Sequence, residues 1–280
     1  MSLNVIPLTG SIGAAVEGVD LKKPVNKDIF DHLHKAFLDR CVLVFRDQGI
    51  GPQEQTAFGR LWGEPAQQGN PLLKDLFVTP EIIKITKIPK ETASTEAWHY
   101  DSCYTAVPPK ISILAAVTVP RGGDTMWCNQ YEAYDRLSPT MQRMIQGLRV
   151  KFVGLRLARM TGKDDKDLPT AIHPLVRTHP ETGRKALYVG HPETAQQIEG
   201  MTKEESRPLL DFLYAHSTQP DNIYRHMWRV GDVVMWDNRC TMHRVREYDE
   251  VNHRRELRRV MVQDAADSLD GARPLASTTG

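Results

Sequence analysis

Apolar residues recur at helical spacing in four stretches of the chain, each preceded by residues suited to a helix start. Asn26 precedes the first stretch, Gly51-Pro52 the second and Ser138-Pro139 the third, and Thr202 forms a capping box with Glu205 before the fourth. Spacings of three and four residues place one apolar stripe on a helix. The pattern predicts four helices, with these stripes: Ile29, Phe30, Leu33 and Phe37; Ala57, Phe58 and Leu61; Met141, Met144, Ile145 and Leu148; Leu209, Leu210 and Leu213.

Between these stretches lie short apolar runs bounded by glycine, proline and other turn residues. Such runs are typical of strands buried in a sheet. Residues 179–183 separate two of them and predict a hairpin. The expected strands lie within residues 4–20, at 41–45, 82–85, 111–119, 125–128, 175–178 and 185–189, and as a series over 228–261.

Many short strands with few helices favour a mixed β fold. The architecture they suggest is a double-stranded β-helix, a cupin-like jelly roll, with α-helices packed on the outside of one sheet. The sequence has no internal repeat and no linker that divides it, so we expect one domain over residues 1–263. Residues 264–280 are mostly small and polar and are expected to form a flexible C-terminal tail.

Composition and charge narrow the possible partners. The formal net charge is +1 over 280 residues, which gives no electrostatic reason to expect a nucleic-acid partner. The four cysteines form no closely spaced pair, which argues against a disulfide framework or a structural zinc site. The chain opens without a signal-peptide pattern and has no apolar run of about 20 residues, the length that a membrane helix needs. We expect a cytoplasmic protein that does not contact membranes.

Two distant segments encode a possible metal site. His99 and Asp101 are one residue apart in an aromatic stretch typical of a strand, where residues i and i+2 point to the same side. His243 follows a turn far downstream. Two histidines and one carboxylate form the ligand set of non-haem iron(II) oxygenases, which leaves positions open for oxygen and substrate. The spacing predicts that His99, Asp101 and His243 bind iron(II) and form the catalytic centre.

A basic segment near the C-terminus predicts anion binding. If residues 254–262 form a strand, Arg255 and Arg259 share one face, while Arg254 and Arg258 face water. Arginine binds carboxylates in a bidentate manner and stays charged when buried. Two inward guanidinium groups would hold two different anions, one on each side of a metal-bound ligand. A solvated basic edge strand is the alternative.

Taken together, these segments resemble a known enzyme family. The chain is similar to the taurine dioxygenase/dichlorophenoxyacetate dioxygenase family, whose members depend on Fe(II), 2-oxoglutarate and O2. The resemblance extends over nearly the whole chain to residue 263, and residues 224–260 look closest to the dichlorophenoxyacetate branch. It is carried by four elements in order: His99-x-Asp101, Gly122-Gly123-Asp124-Thr125, Trp236-Asp237-Asn238-Arg239-Cys240-x-x-His243, and the pair Arg255 and Arg259.

The resemblance implies a cosubstrate site next to the iron ligands His99, Asp101 and His243. Thr125 and Arg255 would bind the distal carboxylate of 2-oxoglutarate. Trp236 would line the same region. The resemblance also implies a homodimer or homotetramer, because family members commonly form these assemblies.

The resemblance further implies where the primary substrate binds. Arg259 matches the position that binds the acidic group of the substrate. The substrate-binding histidine of the taurine enzyme falls in a loop that here contains Asn70, and an asparagine of the family appears as Thr95. These departures argue against taurine itself. His191 is a third candidate for the substrate pocket, and residues 64–97 are either a lid or an ordinary surface loop.

The expected activity is hydroxylation of a small anionic organic molecule, with release of succinate and CO2. The substrate would be an aryloxyalkanoate-like carboxylate, a sulfonate or an alkyl sulfate. One alternative is a metal-dependent hydrolase or isomerase on a cupin-like barrel that does not use 2-oxoglutarate, although Thr125 and Arg255 argue against it. Another alternative is a jelly-roll binding protein without catalysis. His179 lies in the hairpin turn and is expected to face solvent.

Overall fold

The apolar runs of the sequence form the strands of the computed structural model, which describes residues 3–67, 71–86, 97–155, 168–249, 251–264 and 273–274. Each region expected to contain strands does so, although the series expected over 228–261 begins only at Val233. Further short strands form at Phe77–Thr79, Arg149–Val153, Thr170–Pro174, Ala195–Ile198, Ile223–His226 and Arg273–Pro274. In chain order the strands are β1 (Asn4–Pro7), β2 (Ala14–Glu17), β3 (Val42–Phe45), β4 (Phe77–Thr79), β5 (Ile82–Ile85), β6 (Pro109–Thr118), β7 (Thr125–Asn129), β8 (Arg149–Val153), β9 (Thr170–Pro174), β10 (Val176–Thr178), β11 (Lys185–Leu187), β12 (Ala195–Ile198), β13 (Ile223–His226), β14 (Val233–Asp237), β15 (Thr241–Val245), β16 (Glu256–Gln263) and β17 (Arg273–Pro274).

The helices begin at the caps that the sequence predicts. The side chain of Asn26 accepts a hydrogen bond from the backbone N–H of Ile29, and Thr202 forms the full capping box with Glu205. A six-residue helix that begins after Asn129 was not expected, because it is too short to repeat an apolar stripe. The helices are α1 (Lys27–Arg40), α2 (Pro52–Arg60), α3 (Gln130–Asp135), α4 (Pro139–Ile145) and α5 (Lys203–Ser217).

Two facing sheets build the jelly roll. In the described residues the large sheet has eight strands in the order β1-β2-β3-β14-β6-β16-β5-β4, and the small one has the order β13-β7-β15. Trp127 and Tyr224 of the small sheet meet Val234, Trp236 and Leu257 of the large sheet in one buried cluster. The expected double-stranded β-helix is therefore confirmed. Strands β12-β8-β9-β17 and β10-β11 form two further sheets.

Helices α1 and α2 cover the outer face of the large sheet. Leu33, Phe37 and Phe58 pack there against Val233 and Met235. Along β14 these valine and methionine side chains alternate with Val234 and Trp236, which point into the jelly roll. Strand β14 is thus buried on both faces, as the continuous apolar run at 233–236 predicts.

Arg258 corrects one expectation for β16. Its side chain was expected to face water, but it is half-buried and donates a hydrogen bond to the carbonyl of Ile50, just before α2. Arg254 is exposed as expected, with 71% of its side chain accessible. The β16 face opposite Arg259 is therefore covered by the α2 layer, and β16 is not a solvated basic edge strand.

Several predictions fall on parts of the chain beyond the described ranges. Asn70, Thr95 and much of the 64–97 segment lie outside the described residues, as does most of the expected tail. Residues 273–274 pair with β9, in the register Arg273 to Ile172. Within the described ranges, no helix combines the length and apolar character needed to cross a membrane.

Candidate active site

The backbone holds His99 and His243 side by side. They form an isolated antiparallel bridge, with reciprocal N–H···O bonds of 2.9 Å each. Their ring centroids are 4.2 Å apart. The Nδ1 of His99 lies 2.8 Å from the carbonyl oxygen of Ala97, and because a carbonyl only accepts, this nitrogen carries the hydrogen. Nε2 of His99 is therefore the atom left to bind a metal.

Asp101 reaches the same point through a turn. The strand expected around His99 is reduced to the single bridge, because the chain turns over residues 101–104 and Ser102 adopts a left-handed conformation with φ 49°. The carboxylate oxygen Oδ1 of Asp101 is 3.9 Å from Nε2 of His243. Ligand atoms of His99, Asp101 and His243 all lie within 4.8 Å of one another. The three predicted ligands do converge.

The Asp101 carboxylate is kept ionised by its surroundings. Burial alone would raise its pKa, but the guanidinium of Arg259, the imidazoles of His243 and His99 and a hydrogen bond from Ser112 outweigh burial, so the pKa lies well below its usual range. Nη1 of Arg259 donates to Oδ1 at 2.8 Å, and Oγ of Ser112 donates to Oδ2 at 2.6 Å. A charged carboxylate is the form that binds a divalent cation.

A chain of buried donors ends at this carboxylate, and two of its members were missed as site residues. Trp236 Nε1 donates to Oδ1 of Asn238 at 2.9 Å, and Nδ2 of Asn238 donates to Oγ of Ser112 at 3.0 Å. The hydroxyl of Ser112 then donates to Asp101. Such outer hydrogen bonds orient metal ligands. A sequence signal existed for Ser112, because it is a polar residue inside the apolar run of β6.

Thr125 and Arg255 form a second buried group. Nη2 of Arg255 donates to Oγ1 of Thr125 at 3.4 Å, and Nε of Arg255 donates to the carbonyl of Gly123 at 3.0 Å. Burial lowers the pKa of Arg255 to about 10, which leaves it charged at neutral pH. Gly123 has φ +67°, and a Cβ there would lie 3.0 Å from Cδ of Arg255. The glycine of this turn therefore lets the guanidinium approach the backbone.

The register of the small sheet sets the separation of the two groups. His243 pairs with Trp127 across β15 and β7, and Val245 pairs with Thr125. Thr125 therefore lies two residues along the sheet from the candidate metal ligand His243, a distance of roughly 7 Å. Trp236 lies on the inside of the jelly roll, with its ring centroid 4.7 Å from that of His243 and 5.5 Å from that of Trp127.

Three other histidines occupy different environments. His179 was expected to face solvent, but it is buried, and its Nε2 is 3.0 Å from Oδ2 of Asp237. The expectation was wrong because the hairpin turn folds onto the β14–β15 turn. His173 is also buried, and burial lowers its pKa to about 4.

His191 is half-buried against the ring of Tyr214, with ring centroids 5.8 Å apart. Tyr214 lines a cleft of about 570 Å³ together with Trp98 and Arg244. Trp98 and Arg244 are the sequence neighbours of the candidate ligands His99 and His243. A role for His191 in substrate binding remains a prediction.

Comparison with known protein families shows which family the chain belongs to. The family model described as "Taurine catabolism dioxygenase TauD, TfdA family" matches residues 4–261, which is most of the sequence. The chain belongs to the TauD/TfdA family. The resemblance identified from the sequence is therefore confirmed, and this TauD/TfdA protein is an Fe(II)- and 2-oxoglutarate-dependent dioxygenase that uses O2. The family match supports this interpretation and not the alternative hydrolase or isomerase.

Individual relatives of this TauD/TfdA protein agree over almost its full length. It is 36% identical to the alpha-ketoglutarate-dependent 2,4-dichlorophenoxyacetate dioxygenase of Cupriavidus pinatubonensis, over 95% of this chain and 99% of the relative. It is 31% identical to the alkylsulfatase of Acinetobacter baylyi, over 99% of this chain and 89% of the relative. The crystal structure of AAD-2 in complex with Mn(II) and N-oxalylglycine superposes with a TM-score of 0.81 at 32% identity, covering 95% of this chain and 98% of the other.

Proposed function

We propose that this dioxygenase hydroxylates a small organic anion, with His99, Asp101 and His243 as iron ligands and with 2-oxoglutarate held by Thr125 and Arg255. The convergence of the three ligand atoms within 4.8 Å carries the metal assignment. Two imidazoles and one carboxylate suit iron(II) and leave coordination positions for other ligands. When bound, iron and 2-oxoglutarate supply the oxidising chemistry, in which O2 is consumed and succinate and CO2 are released.

The Thr125–Arg255 pair fits the distal carboxylate of the cosubstrate. A buried guanidinium needs an anion, and the side-chain hydrogen bonds of Arg255 go to neutral acceptors at Gly123 and Thr125, while Asp124 acts on it through its charge and is itself paired with Arg225. The separation of roughly 7 Å from the metal ligands along β7 suits a five-carbon diacid whose keto acid end reaches the iron. Trp236 would shield the metal side of this space from water, since it is buried and its ring lies 4.7 Å from that of His243.

Arg259 supports an anionic substrate. It makes one hydrogen bond to Asp101, and its buried Nε has no acceptor among the described residues. A buried donor without an acceptor is costly, so this edge of the guanidinium is suited to an incoming anion. With iron(II) and 2-oxoglutarate present, the charges of Asp101, Arg255 and Arg259 would leave an excess of positive charge, which a substrate anion would cancel.

The names of the relatives suggest several candidate classes of substrate anion. The Cupriavidus relative is named for 2,4-dichlorophenoxyacetate, and the Acinetobacter relative is named an alkylsulfatase. We infer an aryloxyalkanoate-like carboxylate first, because the chain is more similar to the former, with alkyl sulfates and sulfonates next. Hydroxylation of the carbon beside the ether or sulfate oxygen would fragment either molecule.

Succinate formation tests this proposal. Purified protein with Fe(II), 2-oxoglutarate and O2 is incubated with 2,4-dichlorophenoxyacetate, an alkyl sulfate, an alkyl sulfonate, or none, and succinate is measured. We expect at least one anion to raise succinate formation above the substrate-free rate. No stimulation by any of the three classes would contradict the substrate proposal.

Arg259→Gln probes the anion-binding role separately. Loss of the guanidinium is expected to raise the KM for the anionic substrate by roughly 100-fold, corresponding to about 2–3 kcal/mol for a charged hydrogen bond. Because Arg259 also contacts Asp101, Mn(II) affinity is measured in the same variant. A large loss of metal affinity with an unchanged substrate KM would show that Arg259 serves to hold Asp101 and does not bind the substrate.

We also infer that the protein forms a homodimer or homotetramer. Light scattering coupled to size exclusion tests this inference.

A further inference from the structure

The Thr125 hydroxyl has a defined hydrogen-bond direction. Its oxygen accepts from Nε1 of Trp228 at 2.9 Å and from Nη2 of Arg255 at 3.4 Å. A hydroxyl has two acceptor lone pairs and one hydrogen to donate. With a donor facing each lone pair, the hydrogen must point away from both, and no described residue accepts it. Thr125 is buried, so this hydrogen does not point into bulk water.

We propose that Trp228 is a positioning residue for 2-oxoglutarate, which turns the Thr125 hydroxyl so that its hydrogen points at the carboxylate bound by Arg255. This inference rests on the proposed cosubstrate site. The indole suits the role because Nε1–H only donates and its rigid ring has no alternative hydrogen-bonding group. It thus excludes the orientation in which Thr125 would donate its hydrogen toward position 228.

The position of Trp228 is itself held by a buried network. The ring of His226 packs edge-to-face on Trp228, with centroids 4.7 Å apart and an interplanar angle of 84°. His226 pairs directly with Thr125 across β13 and β7. Nε2 of His226 lies 3.0 Å from Oδ2 of Asp232, and its Nδ1 lies 2.9 Å from the hydroxyl of Tyr224. The network therefore ties the indole to the same strand pair that carries Thr125.

The hydrogen positions in this network follow from its chemistry. A carboxylate only accepts, so Nε2 of His226 carries a hydrogen and Nδ1 accepts from Tyr224. Burial lowers the pKa of His226, although its hydrogen bond to Asp232 opposes the shift, and burial raises the pKa of Tyr224 to about 12. A neutral imidazole with a protonated phenol is consistent with both directions. Asp232 is further tied down by Arg46 and by the backbone N–H of Arg229 at 2.8 Å.

Binding of 2-oxoglutarate to Mn(II)-loaded protein, measured by calorimetry, tests the inference without turnover. Trp228→Phe keeps an aromatic ring and removes the N–H. We expect it to raise the Kd of 2-oxoglutarate roughly tenfold, because one charge-assisted hydrogen bond loses its preset direction. Thr125→Val removes the hydroxyl, and we expect a rise of similar or larger size.

The double variant Trp228→Phe/Thr125→Val distinguishes positioning from general damage. If Trp228 acts through the Thr125 hydroxyl, adding Trp228→Phe to Thr125→Val raises the Kd no further. An equal rise in both backgrounds would overturn the inference, as would an unchanged Kd in Trp228→Phe alone. If Thr125→Val and Arg255→Gln both leave the Kd unchanged, the proposed cosubstrate site is wrong as well. A rise in these two without one in Trp228→Phe refutes the positioning role alone.

Trp62→Phe is the matched control. Trp62 is also buried, and its Nε1 has no hydrogen-bond partner among the described residues, so the same substitution removes ring bulk without removing a bond. We expect no change in the Kd of 2-oxoglutarate. If Trp228→Phe fails to fold, β-(3-benzothienyl)alanine at position 228 keeps the bicyclic ring and replaces N–H by sulfur. The same tenfold rise is expected there, and an unchanged Kd would contradict the proposal.

Discussion

Two buried clusters of this protein bring histidine and carboxylate together, and they serve opposite purposes. In one, ligand atoms of His99, Asp101 and His243 lie within 4.8 Å of one another, and the same holds for His179, Asp237 and Cys240 in the other. Distance alone does not separate them. The hydrogen bonds that each carboxylate already makes do separate them.

Asp237 is fully engaged by the protein. Arg239 donates to it from Nε at 2.9 Å, from Nη2 at 2.7 Å and from its backbone N–H at 2.9 Å, and His179 lies 3.0 Å away. The guanidinium supplies the positive charge that a metal ion would otherwise bring. Cys240 is buried, which raises the pKa of its thiol well above the usual value and disfavours the thiolate that a metal needs. This cluster is an ion pair that stabilises the β14–β15 turn.

Among the described residues, each oxygen of Asp101 accepts a hydrogen bond from one side chain. Arg259 donates to Oδ1 and Ser112 donates to Oδ2, and the ligand atoms of both histidines lie within 4.8 Å of the carboxylate. Lone pairs of the carboxylate therefore remain for a cation. The comparison teaches that a metal site is recognised by the acceptor capacity that the protein leaves unused, and not by proximity of ligand types.

Asp101→Ala should give the largest loss of metal affinity and activity, and it tests whether the His99–Asp101–His243 cluster binds metal. Loss of a hydrogen bond to a metal ligand typically weakens metal binding by about 10- to 100-fold, and we expect loss of the ligand itself to weaken Mn(II) binding by more than that. Succinate formation should fall to background. Calorimetric Mn(II) titration and a succinate assay measure these losses. Asp237→Ala is the counterpart, and its metal affinity should stay unchanged in protein that remains folded. A wild-type Mn(II) affinity in Asp101→Ala would refute the metal assignment.

Asp237→Asn tests the structural side. It removes the more deeply buried of the two carboxylates that pair with Arg239 and leaves Glu181 at 2.7 Å, so the free energy of unfolding should fall by about 3 kcal/mol. Burial would raise the pKa of Asp237, but Arg239 and His179 hold it far below its usual range. A carboxyl whose pKa is lower in the folded than in the unfolded protein stabilises the folded state at pH values above its unfolded pKa of about 3.9. This stabilisation is lost as the pH falls through the folded-state pKa. The difference between wild type and variant, measured by urea unfolding, should therefore shrink below about pH 4.

Asp39→Asn serves as the control for that experiment, because 71% of the Asp39 side chain is exposed. Its unfolding free energy should change by less than about 1 kcal/mol. Equal losses in Asp39→Asn and Asp237→Asn would show that the buried ion pair has no special role in stability.

Ser112→Ala should give the smallest of these effects and sharpens the comparison within the metal site. Removing the donor to Oδ2 of Asp101 should weaken Mn(II) binding by about 10- to 100-fold, with the ligands themselves intact. Ser217→Ala is the matched control, because Ser217 is also buried but donates to the carbonyl of Tyr214. If both variants bind Mn(II) like wild type, the donor chain from Trp236 does not orient the ligand.

The sequence was informative where local chemistry decides the structure. Helix caps at Asn26, Ser138 and Thr202 predicted the starts of three helices, and the spacing of His99 and Asp101 with a distant His243 predicted that these three side chains converge. The continuous apolar run at 233–236 correctly predicted that β14 is buried. In each case the signal lies within a few residues or in a motif with a chemical requirement.

Other features depend on contacts between distant segments and were not predictable from the sequence. Position in a turn suggested that His179 is exposed, yet the turn folds onto Asp237, 58 residues away. Trp228 looked like the beginning of a strand series, and its hydrogen bond reaches Thr125 across 103 residues. Arg258 carries a charged side chain of the kind usually exposed to water, but it donates a hydrogen bond to a carbonyl 208 residues away. Burial of a polar side chain depends on which segment covers it, and no local pattern encodes that.

The single bridge between His99 and His243 has a consequence for how the apoprotein acquires its metal. Main-chain hydrogen bonds already gather the two imidazoles, which belong to widely separated parts of the sequence. The donors are therefore preassembled, and chelation need not recruit them from mobile segments. A cation should therefore bind to two imidazoles whose backbones are already hydrogen-bonded to each other, and its binding should in turn strengthen the attachment of His99 to β15.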